Sequence, residues 1–132
     1  MANSFYNAGF DDIIDGTRDL LTDDYRVILI DSADYTFAIG HTSLTSVPVA
    51  ARVATSTALT SKTFATRAFD AANVTFSSVT GDASEALIIY YHTGTDSTSV
   101  PLLYLDGFSV TPGGGDITVT WGANIFSFNA TA

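Results

Sequence analysis

Short runs of apolar residues alternate with short polar turns along most of this chain. The pattern is clearest between residues 74 and 121, where the turns contain glycine and aspartate. Runs of this length that are rich in β-branched and aromatic residues are typical of antiparallel strands. The pattern therefore predicts four strands in this region, at residues 74–76, 86–91, 102–105 and 117–121.

The same pattern continues on both sides of this region. Tyr25–Ile30 is nearly apolar on both faces, which predicts a strand in the middle of a sheet. Residues 52–59 alternate between two faces, residues 63–66 follow as a partner strand, and residues 125–128 form the last strand. Residues 35–47 fit a strand or a loop. A count of about eight strands predicts an antiparallel β-sandwich or a jelly-roll-like barrel.

One segment near the start of the chain has a helical period instead. Residues 4–15 predict a short amphipathic helix, with Ser4 as its N-cap and Gly16 placed to end it in a left-handed conformation. Its apolar face covers either the chain's own sheet or a neighbouring subunit. The face consists of Tyr6, Phe10, Ile13 and Ile14.

The aromatic residues of this helix are the candidate interface residues. Phe5 points about 100° away from Tyr6 on a helix, so it falls outside the apolar face. Apolar side chains left over in this way are common at contacts between subunits. We therefore expect Phe5, Tyr6 and Phe10 to contact a partner, and residues 1–16 to contribute more to assembly than to the fold.

Length and composition favour one folded domain. The chain has 132 residues, 46% of them hydrophobic, and shows no linker or internal repeat, so we expect a single β-domain over residues 1–132. No run reaches the roughly 18 apolar residues of a membrane span. The first residues lack the basic and apolar regions of a secretory signal. We expect no membrane partner.

Charge and cysteine content narrow the classes of function. Fourteen acidic residues against five basic ones give a formal charge of −9. This balance argues against a nucleic-acid partner, because binding to phosphate backbones needs clustered Lys and Arg. It favours solubility and is typical of an ordinary solvated acidic surface, which could also complement a basic partner. The absence of cysteine excludes disulfides, zinc–thiolate sites and thiol catalysis, and it fits synthesis in a reducing cytoplasm.

No candidate catalytic or cofactor site has the spacing that its chemistry requires. His41 and His92 both lie beside threonine, without a Gly-x-Ser-x-Gly segment to position a nucleophile. Residues 113–115 are three glycines, but no Gly-Lys-Ser/Thr follows them as in a phosphate-binding loop. We expect no enzyme activity, no cofactor and no metal. Aspartates in the predicted loops, at residues 31, 34, 82, 96 and 116, could bind calcium. No segment matches the twelve-residue calcium-binding loop.

Several strings together resemble a family of small virion structural proteins of tailed double-stranded DNA bacteriophages. The matching strings include LTDDYRV at residues 21–27, LIDSADY at residues 29–35 and, as the most distinctive, GGDITVTW at residues 114–121. The others are residues 47–48 with 51–54, 69–72 with 74–76, 80–82 with 85–87, and 110–112. Residues 122–128 depart from the family's usual asparagine-rich, lysine-bearing end.

The resemblance implies a structural role without catalytic residues. We expect a head decoration or cement protein that is made in the cytoplasm of a bacterial host. It would bind the major capsid protein on the capsid exterior and stabilise the shell, as a small homo-oligomer that we expect to be a trimer. The alternative is a tail or fibre protein that contacts host receptor glycans. Aromatic residues that sugar rings could stack on are Tyr90, Tyr91, Tyr104 and Trp121.

Overall fold

The protein is mainly β, with antiparallel sheets and, among residues 3–128, one short α-helix. A computed structural model describes residues 3–128 and, for Phe108, the backbone alone. This part of the chain has no helix of the length and apolarity that crossing a membrane requires. The elements are β1 (Ser4–Phe5), α1 (Asn7–Ile14), β2 (Tyr25–Ile30), β3 (Arg52–Thr55), β4 (Thr63–Ala65), β5 (Ala68–Asp70), β6 (Val74–Phe76), β7 (Ser84–Tyr91), β8 (Val100–Val110), β9 (Ile117–Val119) and β10 (Phe126–Ser127).

A five-stranded sheet in the order β1-β8-β7-β2-β3 forms the centre of the fold. A three-stranded sheet (β10-β5-β4) and a two-stranded sheet (β6-β9) accompany it, and all observed strand pairs are antiparallel. The arrangement is sandwich-like, as predicted, while a jelly-roll connection of the strands stays a prediction. Because β9 pairs with β6, the triple glycine joins two different sheets and is not the loop of a hairpin.

Strand β2 lies between β7 and β3, which confirms the central position that its apolar pattern predicts. Val27 and Leu29 point into one core, and Ile28 and Ile30 point into the other, because successive side chains of a strand alternate between faces. Side chains of the smaller sheets, such as Phe69, pack in the first core. The second core contains Tyr6, Tyr35, Leu44, Val47, Ala51, Ala86, Ile88, Tyr90 and Tyr104.

Residues 3–128 contain ten strands rather than about eight, and both additional strands are short. β1 lies inside the segment that was predicted as helix, and β5 lies between the predicted strands at residues 63–66 and 74–76. Ser4 is consequently not an N-cap: it pairs with Tyr104 in the sheet, and the helix begins at Asn7. The predicted end is confirmed, because Gly16 has a left-handed φ of +86°. Residues 35–47 contain a short 3-10 turn, Leu44–Ser46, and no strand.

Helix α1 packs directly on the backbone of β8 through a glycine. A Cβ at Gly9 would lie 2.2 Å from the carbonyl oxygen of Pro101 and 2.6 Å from Cα of Leu102. Just before the helix, Tyr6 is fully buried, and its backbone N–H donates to the carbonyl of Leu102 at 2.9 Å. The expectation that residues 1–16 serve assembly more than folding is therefore wrong for Tyr6 and Gly9, which lie in the core of the monomer.

Candidate docking surface

The chain presents an apolar groove beside the C-terminal end of α1. The groove has a volume of about 460 Å³. Arg18 and Asp19 lie at its margin, and Gly16 contributes backbone to its wall. We call it the apolar groove because six apolar side chains line it: Ile13, Ile14, Leu20, Leu21, Phe64 and Phe128.

Three large apolar side chains of the groove are exposed to solvent. Ile14 is 64% exposed, Leu21 is 41% exposed and Phe64 is 43% exposed. Ile14 belongs to the helix face that was predicted to cover either the sheet or a neighbouring subunit, and it does not cover the sheet, which the helix contacts through Gly9. The sequence did not single out Leu21 or Phe64. The sequence feature that could have identified Leu21 is the apolar pair Leu20-Leu21, which lies between aspartates and outside any periodic run of apolar residues.

Aspartate turns hold the segment between the helix and β2 in place. Oδ1 of Asp15 accepts hydrogen bonds from the backbone N–H and the hydroxyl of Thr17, at 2.9 and 2.6 Å. Oδ1 of Asp19 accepts from the backbone N–H of Leu21 at 2.9 Å. These bonds lower the pKa of both carboxyls below the usual value, so both are charged at neutral pH. The turns thereby fix Leu21 at the surface.

The opposite wall of the groove is a hairpin with a strained turn. β4 and β5 are joined by Thr66 and Arg67, and Ala65 pairs with Ala68 across the turn. Thr66 and Arg67 both have left-handed φ values, +52° and +64°. Tight turns of this kind usually contain Asn-Gly, because a β-branched residue is disfavoured at positive φ. The hairpin nevertheless holds Phe64 on a strand whose three residues are all exposed.

A cluster of phenylalanines lies under the groove and includes two of the predicted interface residues. Phe5 contacts Phe10 at a centroid distance of 4.9 Å and Phe126 at 5.0 Å. Phe128 stacks on Phe5 at 6.0 Å and meets Phe10 edge-on at 5.9 Å. Phe5 and Phe10 are half-buried by this cluster. Tyr6 is inaccessible on the monomer, so it is not available to a partner. The C-terminal aromatics that cover these residues were not predicted to do so.

The surface around the groove is strongly acidic. Residues 11–24 contain six aspartates and a single base, Arg18. The guanidinium of Arg18 lies 4.1 Å from the ring centre of Tyr91 and 3.9 Å from a carboxylate oxygen of Asp12, so its charge is already engaged within the chain. Lys62 donates a hydrogen bond to the backbone carbonyl of Asp23. The exposed carboxylates of Asp11, Asp15 and Asp19, on the helix that carries Ile14 and just after it, give the apolar groove a negative rim on this side.

A second cleft, of about 570 Å³, lies beside Trp121. Asp106, Ser109 and Thr118 supply polar groups to its wall. The indole N–H of Trp121 donates to the carbonyl of Ala72 at 3.1 Å, which fixes the orientation of the ring. Two other aromatics that were considered for sugar stacking, Tyr90 and Tyr104, are buried, and Tyr91 is covered by Arg18.

Both histidines are hydrogen-bonded to tyrosines. Nδ1 of His41 lies 2.7 Å from the hydroxyl of Tyr35, which in turn lies 2.7 Å from the hydroxyl of Tyr6. Nδ1 of His92 lies 2.9 Å from the hydroxyl of Tyr90. Among the hydrogen bonds of the described residues, neither histidine is paired with a serine or a carboxylate. The pairs orient the tyrosine hydroxyls of the second core.

Three of the aspartates that were considered as calcium ligands lie together. Carboxylate oxygens of Asp31, Asp34 and Asp82 are within 4.8 Å of one another. They meet because the end of β2 pairs with the start of β7, where Ile30 lies opposite Ala86. Asp31 is buried and accepts a hydrogen bond from the backbone N–H of Ala33 at 3.0 Å, while Asp34 and Asp82 are exposed. Grouped acidic side chains of this kind are common without an ion.

The sequence was compared with protein-family models and with curated proteins. No protein-family model matches the chain, and no curated protein matches it either.

Proposed function

We propose that this protein is a structural protein of a bacteriophage virion that decorates the outside of the capsid and stabilises the shell. It binds the major capsid protein, as a small homo-oligomer that we expect to be a trimer. The observation that carries the proposal is the apolar groove, where Ile14, Leu21 and Phe64 form an exposed apolar surface on an otherwise acidic protein. Exposed apolar patches rimmed by polar residues mark sites of protein–protein contact.

The rest of the fold supports a cementing role. Both faces of the five-stranded sheet are covered within the monomer, so the sheet itself needs no partner. The groove lies between the helix and a hairpin that are fixed by backbone contacts, which lowers the entropy lost when a partner binds. The sequence resemblance to phage virion proteins supplies the expected partner, and threefold sites of a symmetric shell supply a place for a trimer.

Purified particles test this proposal. We expect the protein on the capsid exterior in hundreds of copies, at a fixed ratio to the major capsid protein, in an electron-microscopy reconstruction. Capsids without it should lose their shape at a lower temperature, and adding the purified protein should restore their stability. A few copies confined to the tail, or absence from the particle, would overturn the proposal.

A matched pair of variants connects the groove with capsid binding. Ile14→Ser with Leu21→Ser removes two exposed apolar side chains of the groove and should abolish binding to capsids. Val49→Ser removes an apolar side chain that is 78% exposed in another part of the chain, and it should bind like the wild type. Equal binding of both variants would show that the capsid contacts another surface.

The cleft beside Trp121 favours a second candidate function, a tail or fibre protein that contacts host receptor glycans. Sugar rings stack on aromatic faces, and the carboxylate and hydroxyl groups in this cleft could bond sugar hydroxyls. Glycan-array binding that is lost in Trp121→Ala, with the protein still folded, would favour this candidate. Absence of glycan binding by the wild type would remove it.

A further inference from the structure

The apolar groove has the size and shape to take a few apolar side chains of a partner. Its volume of about 460 Å³ falls at the lower end of the range for pockets that enclose ligands. Ile14 and Leu21 line it from the helix side, and Phe64 lines it from the hairpin. A short segment with two or three apolar residues would cover all three side chains.

The charges at the rim indicate what flanks those apolar residues. Asp11, Asp15 and Asp19 are exposed on the helix and on the turn that follows it. Arg18 lies 3.9 Å from a carboxylate oxygen of Asp12, and Lys62 bonds the carbonyl of Asp23, so these two bases offset only part of the negative charge on this side of the groove. Arg67 lies at the turn of the hairpin and is exposed. A partner with lysine or arginine beside its apolar residues is complementary to the rim.

A second copy of this chain is a poor occupant of the same groove. Two such surfaces would bring the exposed carboxylates of Asp11, Asp15 and Asp19 of one copy toward the same three carboxylates of the other. Like charges that face each other across an interface oppose association. This applies even where apolar side chains meet, because charges close to the contact are screened less than charges in open solvent.

We infer that the apolar groove binds an apolar segment of a different protein, with lysine or arginine residues on either side of the apolar ones. This deepens the proposed function, on which the identity of the partner as a capsid protein rests. The binding chemistry rests only on the groove and its acidic rim.

Synthetic peptides test the inference on the full-length protein. A peptide built from leucine and lysine is the probe, and peptides built from leucine and glutamate, or from serine and lysine, are its controls. Fluorescence anisotropy should show binding of the leucine–lysine peptide alone. Its affinity should fall as salt is raised toward 1 M, where the screening length shrinks to about 3 Å.

Variants show whether the peptide occupies the groove. Ile14→Ser should weaken binding of the leucine–lysine peptide about tenfold, because it removes much of an exposed aliphatic side chain that the peptide would cover. Asp11→Asn with Asp15→Asn should weaken it severalfold and flatten its salt dependence. Val49→Ser and Asp82→Asn alter exposed residues in other parts of the chain and should leave the affinity unchanged.

Several results would overturn the inference. One is equal binding of the leucine–glutamate peptide, and another is an unchanged affinity in Ile14→Ser. A third is sedimentation that shows self-association through the groove, lost in Ile14→Ser. The peptide measurement needs no virion, so its failure is distinguishable from failure of the proposed function. If the protein is found on capsids but does not bind the leucine–lysine peptide, only this inference is contradicted.

Discussion

Replacing Gly9 by alanine tests whether α1 belongs to the folded core. In a helix, alanine is favoured over glycine by about 1 kcal/mol, so propensity alone predicts that Gly9→Ala stabilises the protein. The structure predicts the opposite result. The added Cβ would lie 2.2 Å from the carbonyl oxygen of Pro101, 2.6 Å from Cα of Leu102 and 2.8 Å from the carbonyl carbon of Pro101.

The magnitude follows from what has to move. Non-bonded carbon atoms pack at about 3.5–4.0 Å, so the helix must shift by about 1 Å from β8. All three nearest atoms are backbone, which cannot rotate away as a side chain can. Overpacking of this kind costs typically 1–3 kcal/mol, and a rigid neighbour favours the upper end. After the gain in helix propensity is subtracted, we expect a net loss of about 2 kcal/mol in unfolding free energy.

Chemical and thermal unfolding measure this loss. Fluorescence of the single tryptophan and circular dichroism should report one transition, with its midpoint lowered by roughly 6–10 °C on heating. Ala8→Gly is the matched control in the same helix: it removes propensity without a clash and should cost about 1 kcal/mol. A Gly9→Ala protein that is as stable as the wild type, or more stable, would refute the close packing of α1 on β8.

The same contacts reverse the expectation for a truncated protein. Deleting residues 1–16 removes β1 from the edge of the large sheet and the fully buried Tyr6 from the second core. We expect the truncated chain to lose cooperative unfolding, as judged by calorimetry. If it instead melts in one sharp transition and has lost only its assembly, the N-terminal segment serves assembly as the sequence pattern first indicated.

Three further predictions concern other parts of the fold. Replacing Thr66-Arg67 by Asn-Gly should relieve the left-handed strain and raise the unfolding free energy by about 1–2 kcal/mol in urea titrations; an unchanged or lower midpoint would contradict this. Arg52→Lys should lose the two hydrogen bonds to the carboxylate of Asp96, each 3.0 Å long, and the bonds to the carbonyls of residues 44 and 47. The free energy of unfolding should fall by about 2 kcal/mol in urea titrations, and a loss below about 0.5 kcal/mol would show that these bonds are dispensable. Burial raises the pKa of five tyrosines, so the native state holds their protons more tightly, and stability should be full below the unfolded-state pKa of about 10 and fall as the pH rises above it. Ultraviolet absorbance should then show these tyrosines ionising together with unfolding, and gradual ionisation of a folded protein would contradict their burial. They are Tyr6, Tyr25, Tyr35, Tyr90 and Tyr104.

The sequence by itself determined most strands and the position of one of them. Tyr25–Ile30 is apolar on both faces except at Arg26, and only a strand with neighbours on both sides and cover above and below can bury both faces. Gly16 was also identified correctly, because a left-handed residue after a helix is a local requirement of the backbone. Both features depend on a few adjacent residues, which is why the pattern contains them.

The tertiary structure alone decided which apolar side chains are buried. The helical period showed that Ile14 lies on an apolar face, but a period does not tell what covers that face. The contact of Gly9 with β8 turned the helix so that Ile14 faces solvent. The apolar groove likewise joins Ile14, Leu21, Phe64 and Phe128, which are far apart in the chain and meet only through packing. Local sequence carries local preference, while a surface made of distant segments depends on how they pack.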